Sequence, residues 1–315
     1  MVKTKKRILT LSIIVPIYNE EESIPAFYDK IKSLSFLTPI NILLYFIDDG
    51  STDNSVSIIK KITCKDDKVH YVVFSRHFGK EAAIYAGLQH SCGEYVAVID
   101  VDLQDPPELL PKMIKMITEE QWDVIGTRRI NRGKKYKIRS FFSNLFYKMI
   151  NLVSDSQLVP GERDYRVMER KVVDSILLLS ESQRFSRGIF SWVGFRTKYL
   201  TFENVDRVKG KTSWTFLGLM KYAVDGVVSF STIPLTFVIL IGLLSFSLSV
   251  LGAIFVVVRA ILDKNSSIAG WASMITILLF ISSIQLLSLG VIGKYISAIF
   301  LETKQRPIYI KRESK

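Results

Sequence analysis

Residues 97–107 read AVIDVDLQDPP, and their pattern sets the terms for the rest of the chain. An apolar run, Tyr95 to Ile99, closes on Asp100, Asp102 and Asp105, with Gln104 among them. The period of a strand puts Asp100 and Asp102 on one side, two residues apart. Two carboxylates in one small region repel unless a cation or a proton accompanies them. At neutral pH a hard divalent metal with oxygen ligands satisfies them, and Gln104 adds a neutral carbonyl. A lone D-x-D is most often an acidic turn in solvent, so the decision rests on what surrounds it.

Upstream, short apolar runs alternate with helix-like segments. Strands are expected at Leu11–Ile17, Ile42–Ile47, Val69–Phe74, Tyr95–Ile99 and Val124–Gly126, and helices at Glu21–Leu34, Asn54–Ile62, Lys80–Gln89 and Pro107–Glu119. That alternation predicts an α/β, Rossmann-like unit with a mostly parallel sheet covered on both faces. Ligands in such sheets sit at the carboxyl ends of strands, where every polar signal of this chain falls. The first strand ends in SIIVPIYNEEESI, with Pro16 fixing the exit, Tyr18 offering a ring to stack on a base and Glu20 offering acceptors. The second ends in FIDDGSTDNS, where Asp48 and Asp49 meet a turn at Gly50 and Ser51 or Asp53 can cap the next helix. In the third unit, FSRHFGKEAAIYAGL, Lys80 stands in the first turn of a helix. A lysine opposes the positive end of the helix dipole, and a nearby anion such as a diphosphate would repair the conflict.

Lys and Arg number 42 against 30 Asp and Glu, a net charge of +12, and the mean hydropathy is +0.24. The apolar residues must therefore be concentrated. Between Pro234 and Val258, and again between Trp271 and Gly293, no residue is charged. At about 1.5 Å per residue each stretch reaches roughly 34–37 Å, past a hydrocarbon core of about 30 Å. Two transmembrane helices are expected, with Trp271 at an interface. The connector 259–270 is nearly neutral and the tail is basic, so the positive-inside rule puts the catalytic part and both ends in the cytoplasm. The basic start MVKTKKRILT leads into a strand rather than a signal peptide. Basic residues Lys134, Lys135, Lys137 and Arg139 precede the aromatic stretch FFSNLFYKMINLV, which predicts an interfacial helix over about 138–153; a second is expected over 214–230. The expected organisation is a catalytic domain over 1–230, spans over 231–300 and a basic tail over 301–315. Cys64 and Cys92 have no metal spacing and are read as structural thiols in a reducing compartment.

SIIVPIYNEEESI, FIDDGSTD, SRHFGKEAAIYAGL and VIDVDLQDPPELL, in that order, resemble the inverting family-two glycosyltransferases of GT-A fold, and more narrowly the polyprenyl-phosphate glycosyltransferases. The bactoprenol glucosyltransferases are the nearer likeness and dolichyl-phosphate mannose synthases the more distant one. The resemblance continues through GERDYRVMER (Gly161–Arg170), RGIFSWVGF (Arg187–Phe195), RVKGKTSW (Arg207–Trp214), both spans and ETKQRPIYI (Glu302–Ile310). It implies that Pro16, Tyr18, Glu20 and one or both of Asp48 and Asp49 hold the base and ribose of a nucleotide sugar. It further implies Asp100, Asp102 and Gln104 around Mg²⁺ or Mn²⁺, Arg128 and Arg207 on the diphosphate, and Asp164 as the acidic residue at the acceptor side. Two departures stand out. His77 replaces a frequent Asn, and Ser213 replaces a phosphate-binding lysine, for which Lys211 is the available substitute.

The implied reaction moves a sugar, glucose from UDP-glucose by resemblance, onto undecaprenyl phosphate in the inner membrane. GlcNAc, galactose, mannose and an aminoarabinose remain open. The acceptor phosphate is largely a dianion at neutral pH, so Asp164 is expected to position acceptor or sugar more than to act as an obligatory base. The resemblance also implies a homo-oligomer. A processive polysaccharide synthase is disfavoured, because QRFSR (Gln183–Arg187) lacks the Q-x-x-R-W spacing and its Trp. A silent membrane scaffold would not need Asp100, Asp102, Gln104 and Arg207 intact. A nucleic-acid partner is excluded, since the basic residues flank membrane segments rather than a base-stacking platform.

Overall fold

The computed structural model describes residues 9–35, 40–129, 159, 161–182, 184–202, 232–262 and 271–315. The expected interfacial helices over 138–153 and 214–230, the connector 263–270, Arg207, Lys211 and Ser213 lie outside those residues.

The expected alternation is present: β1 (Leu9–Ile17), α1 (Ser23–Ser35), β2 (Ile40–Asp48), α2 (Ser55–Thr63), β3 (Val69–Phe74), α3 (Lys80–His90), β4 (Tyr95–Val98), α4 (Leu110–Glu120, entered through a 3₁₀ turn at Pro107–Leu109) and β5 (Val124–Arg129). Then follow β6 (Glu162–Glu169), α5 (Arg170–Leu177), α6 (Ser186–Trp192), β7 (Thr197–Phe202), two long helices α7 (Ile233–Leu262) and α8 (Trp271–Thr303), and β8 (Lys311–Ser314). Among the described residues eight strands form one sheet in the order β7-β5-β6-β4-β1-β2-β3-β8. β1, β2, β3 and β4 are mutually parallel, whereas β6 runs antiparallel to both β4 and β5.

Alternate residues of the central strand feed two apolar layers. Leu11, Ile13, Val15 and Ile17 join Phe27 and Ile31 of α1 and Met113 and Ile117 of α4. Ile14 faces the other way, to Ala83, Ala86 and Leu88 of α3, Val173 of α5 and Ile189 of α6. Burial on both faces explains why these strands read as continuous apolar runs rather than alternating ones.

The chain winds outward from β1 through β2 to β3, then returns to the other side of β1 as β4. The gap between the ends of β1 and β4 is therefore a topological switch point, where open α/β sheets bind ligands. Pro16 marks it. On the β4 side Ile14 accepts the Ile99 N–H, and on the β2 side Ile17 accepts the Asp49 N–H. Alternation turns the Pro16 nitrogen toward β4, beyond the last β1–β4 pair, Ile14 with Val98. A proline there costs no ladder bond.

The sequence offered no strand at 162–169 and treated 301–315 as a tail; both segments join the sheet. β8 pairs antiparallel with β3, Tyr309 stacks on Phe74 with centroids 4.8 Å apart, and Lys60 bonds Glu313 at 2.7 Å. The chain leaving α8 is thus anchored to the edge strand. Deleting residues 309–315 bares that edge and is expected to lower the unfolding temperature by about 5 °C or more, read by thermal unfolding of the full-length and truncated chains.

Ile233–Gly252 and Ile277–Thr303 are long and apolar enough to cross a membrane, with mean hydropathies of 2.3 and 1.9 and no residue of their most apolar stretches buried. The second helix runs past the expected end at Gly293 to Thr303. Its last turn touches the catalytic part, where Glu302 accepts the Ser182 backbone N–H at 2.8 Å.

Candidate active site

Asp100 and Asp102 lie just past β4 rather than on it. Asp102 is buried, and its Oδ1 accepts the Gln104 N–H at 3.1 Å. Leu103 between them takes φ +57°, a left-handed conformation costing a residue with a side chain about 1–3 kcal/mol. The turn is held in spite of that by Leu103 packing against the core.

The reversed strand β6 brings the second half of the site. Its antiparallel register pairs Val98 with Arg166, so two residues on past β4 and two back along β6 Asp100 comes opposite Asp164. Two acids would repel across that gap, and Lys80 stands between them. Its Nζ lies 2.7 and 2.9 Å from the two Asp100 oxygens and 2.7 Å from Asp164 Oδ2. Arg187, from α6, binds the other Asp164 oxygen at 3.2 Å. Burial alone would raise the Asp164 pKa, but the charges of Lys80 and Arg187 outweigh it and hold the carboxyl well below the usual range. Burial likewise opposes the charge on Lys80, and the two carboxylates override it in turn.

Strand alternation sends Arg163 to the opposite face. There it grips Asp105, which is 0% exposed, through Nε at 2.8 Å and a terminal nitrogen at 3.2 Å. The same terminal nitrogen is 4.0 Å from Asp100. One residue on from Asp164 and Tyr165, Arg166 is buried with Glu162 at 3.0 Å and lies over the Phe190 ring at 3.7 Å. Glu81, beside Lys80 in α3, accepts the Ser186 backbone N–H at 2.9 Å and also its hydroxyl. This bond fixes the start of α6 and so the place of Arg187. Burial pushes the Glu81 pKa up against the pull of those donors.

At the β1–β2 end, Tyr18 is 41% exposed and its ring lies 4.3 Å from that of His77. His77 Nδ1 is 2.9 Å from Asp49, whose oxygens also accept the Phe78 and Gly79 N–H groups at 2.6 and 2.8 Å. Asp48 is fully buried and accepts the Ser51 N–H. Burial raises the pKa of both acids. The loop needs its glycines here. Gly50 has φ +74°, with the Arg76 carbonyl carbon 2.5 Å from where a Cβ would stand, and Gly79 has φ +106°. Glu20 accepts the Ser23 hydroxyl at 2.7 Å. Arg128 is exposed on β5, opposite Glu162.

Tyr18, Glu20, Asp49, Lys80, Asp100, Asp102 and Asp164 thus belong to one edge of the sheet, at the switch point. The anion that meets Lys80 is a pair of carboxylates, where the sequence suggested a diphosphate. Arg163, Arg187 and Glu81 were not singled out from sequence. The two arginines stand in RDYR and RGIFSW, but only the folded chain reveals that they face Asp105 and Asp164, while Glu81 stands in GKEAA and meets Ser186.

The profile of glycosyl transferase family 2 matches residues 12–177. The chain belongs to glycosyltransferase family 2. This glycosyltransferase is 38% identical over 311 residues to the bactoprenol glucosyl transferase of Shigella phage SfX, covering 98% of this chain and 100% of that one. It is 40% identical over 304 residues to CsbB of Bacillus subtilis (strain 168), which carries a glycosyltransferase name, over 96% and 92% of the two chains. A prophage bactoprenol glucosyl transferase homolog of Escherichia coli (strain K12) is 35% identical over 98% of this chain and 100% of its own. The alignments therefore take in the long C-terminal helices as well as the sheet. The mixed, mostly parallel sheet with β6 reversed is the GT-A architecture of the enzyme, as expected.

Proposed function

We propose that this glycosyltransferase moves glucose from UDP-glucose to undecaprenyl phosphate at the cytoplasmic face of a bacterial membrane, with inversion at the anomeric carbon. The observation that carries the reading is the meeting of Asp100 and Asp164 across Lys80 at the switch point, backed by full-length relatives named for bactoprenol glucosyl transfer.

The donor chemistry fits Mg²⁺ or Mn²⁺. Asp100 and Asp102 are two turn carboxylates beside Gln104, and no cluster of three or more His, Cys, Asp or Glu forms a closed cage among the described residues. Such a pair suits a cation that takes its other ligands from substrate phosphate and water. Bound there, the cation would neutralise charge growing on the departing diphosphate. Tyr18 would stack on the base and Glu20 would accept from the ribose, with Pro16, Asp48 and Asp49 shaping the loop that receives them. Arg128, Arg207 and Lys211 would supply fixed positive charge to the diphosphate, joined by Lys80.

Asp164 fits a positioning role better than proton abstraction. A general base works best with a pKa near the operating pH, whereas Lys80 and Arg187 hold this carboxyl far below it. The acceptor phosphate, with a second ionisation at about pH 6, is already nucleophilic. The sign of the pH effect follows. Asp164 stays ionised from neutral pH to well under the normal carboxylate range, so a loss of rate on acidification should track the acceptor, near pH 6. Asp164→Asn is expected to keep measurable turnover with that acid limb unmoved; complete loss with donor binding intact would favour base chemistry.

The long helices give the reaction its address. A polyprenyl phosphate keeps its tail in the bilayer, so the site must sit close to the surface, with the basic segments toward anionic headgroups. A panel of labelled UDP- and GDP-sugars with undecaprenyl phosphate, scored for organic-phase product, tests the proposal. Glucose is expected to lead, and exclusive use of another sugar would replace it.

A further inference from the structure

We infer that Lys80 is an internal stand-in for the divalent cation: its ammonium occupies Asp100 in the free enzyme, and the metal displaces it only when the nucleotide diphosphate arrives. The inference rests on the reading of Asp100 and Asp102 as metal ligands, and adds an order to their use.

The geometry carries it. Lys80 Nζ straddles both oxygens of Asp100, at 2.7 and 2.9 Å. A metal bound to that carboxylate at about 2.0–2.1 Å competes with the ammonium for its lone pairs, and two cations held so close repel. The metal therefore binds at the expense of the ammonium's hold on Asp100. Arg163 also faces Asp100, at 4.0 Å, but two bonds tie it to the buried Asp105. Lys80 is the group free to yield: its side chain is 37% exposed, on a flexible stem. It has somewhere to stay, because Asp164 Oδ2 holds it at 2.7 Å while Arg187 steadies the other Asp164 oxygen.

Its place in the chain makes the exchange reciprocal. Lys80 opens α3 immediately after Gly79, where the helix dipole disfavours a cation and welcomes a phosphate. Without substrate, the two carboxylates offset that conflict. With a diphosphate at the helix start, the ammonium gains a phosphate partner as it gives up Asp100. Metal and diphosphate together therefore change the local charge little, whereas metal alone must evict a satisfied ammonium. The free enzyme should bind the cation weakly and take it up with nucleotide as one unit.

Titrating purified full-length chain with Mn²⁺, and following unbound Mn²⁺ by electron paramagnetic resonance, tests this without turnover. Wild type should bind Mn²⁺ weakly alone and more tightly with UDP. Lys80→Met should tighten Mn²⁺ binding without UDP by about tenfold or more, the scale of one charged hydrogen bond. Lys80→Arg, which keeps the cation, should behave as wild type. Adding Asp102→Asn to Lys80→Met should abolish the gain. A Lys80→Met protein that binds Mn²⁺ no tighter overturns the inference. So does a gain that survives Asp102→Asn, since the ion would then sit between Asp100 and Asp164. If instead Asp102→Asn alone leaves wild-type Mn²⁺·UDP binding intact, the metal reading itself fails, and the inference with it. Thermal unfolding monitors each variant, and Lys80→Gln replaces Lys80→Met should the latter not fold.

Discussion

Asp102→Asn is expected to lower sugar transfer by about 10³-fold or more while leaving the chain folded. The substitution keeps shape and removes one charge from the pair proposed to hold the cation. Lewis-acid stabilisation of a leaving diphosphate supplies several kcal/mol, and each 1.4 kcal/mol is a factor of about ten. The fold should tolerate the change, because the amide oxygen can still accept the Gln104 N–H that shapes the turn. Initial rates with UDP-glucose, alongside a thermal melt, separate the two effects. A variant that melts normally and retains a tenth of the wild-type rate would contradict the role given to Asp102.

The second large effect concerns stability. Arg166→Met is expected to destabilise the catalytic domain by about 3–5 kcal/mol, the usual cost of stranding one partner of a buried ion pair. Arg166 and Glu162 are 2% and 4% exposed at 3.0 Å, and Glu162 also accepts the Tyr199 hydroxyl at 3.2 Å. Burial and the Glu162 charge push the Tyr199 phenol above its ordinary range, so it stays a donor. Removing the guanidinium leaves a buried carboxylate with one neutral donor and deletes the contact with Phe190. Adding Glu162→Gln should restore part of the loss, because the two residues act as a unit. Denaturant unfolding of both variants checks this, and a loss under about 1 kcal/mol for the single variant would show that the pair contributes little.

How far the sequence spoke depends on what each segment needed to say. Strands buried on both faces announce themselves as apolar runs, and β1 to β5 lie within a few residues of where those runs predict them. β6 was silent because ERDYRVME carries Glu162, Arg163, Asp164, Arg166 and Glu169, a composition that reads as a loop. Its charges are neutralised in pairs by partners distant in sequence, such as Lys80 and Asp105. β8 was silent because an edge strand of polar residues has no hydrophobic signature; its pairing with β3, the Phe74–Tyr309 stack and the Lys60–Glu313 pair identify its place. The motif residues were visible one by one, yet their grouping was not. Asp100 and Asp164 meet only because one strand runs backward, a fact of topology that no local window contains.

The central claim is that strand-end carboxylates use a divalent cation to draw a sugar from its nucleotide onto a lipid phosphate. The most direct measurement is transfer from labelled UDP-glucose to undecaprenyl phosphate by the full-length chain in lipid, with Mn²⁺ or Mg²⁺ titrated back after chelation. The account predicts an organic-soluble product that vanishes in chelator and returns with the metal. Label that enters the organic phase at an undiminished rate in excess chelator would contradict it.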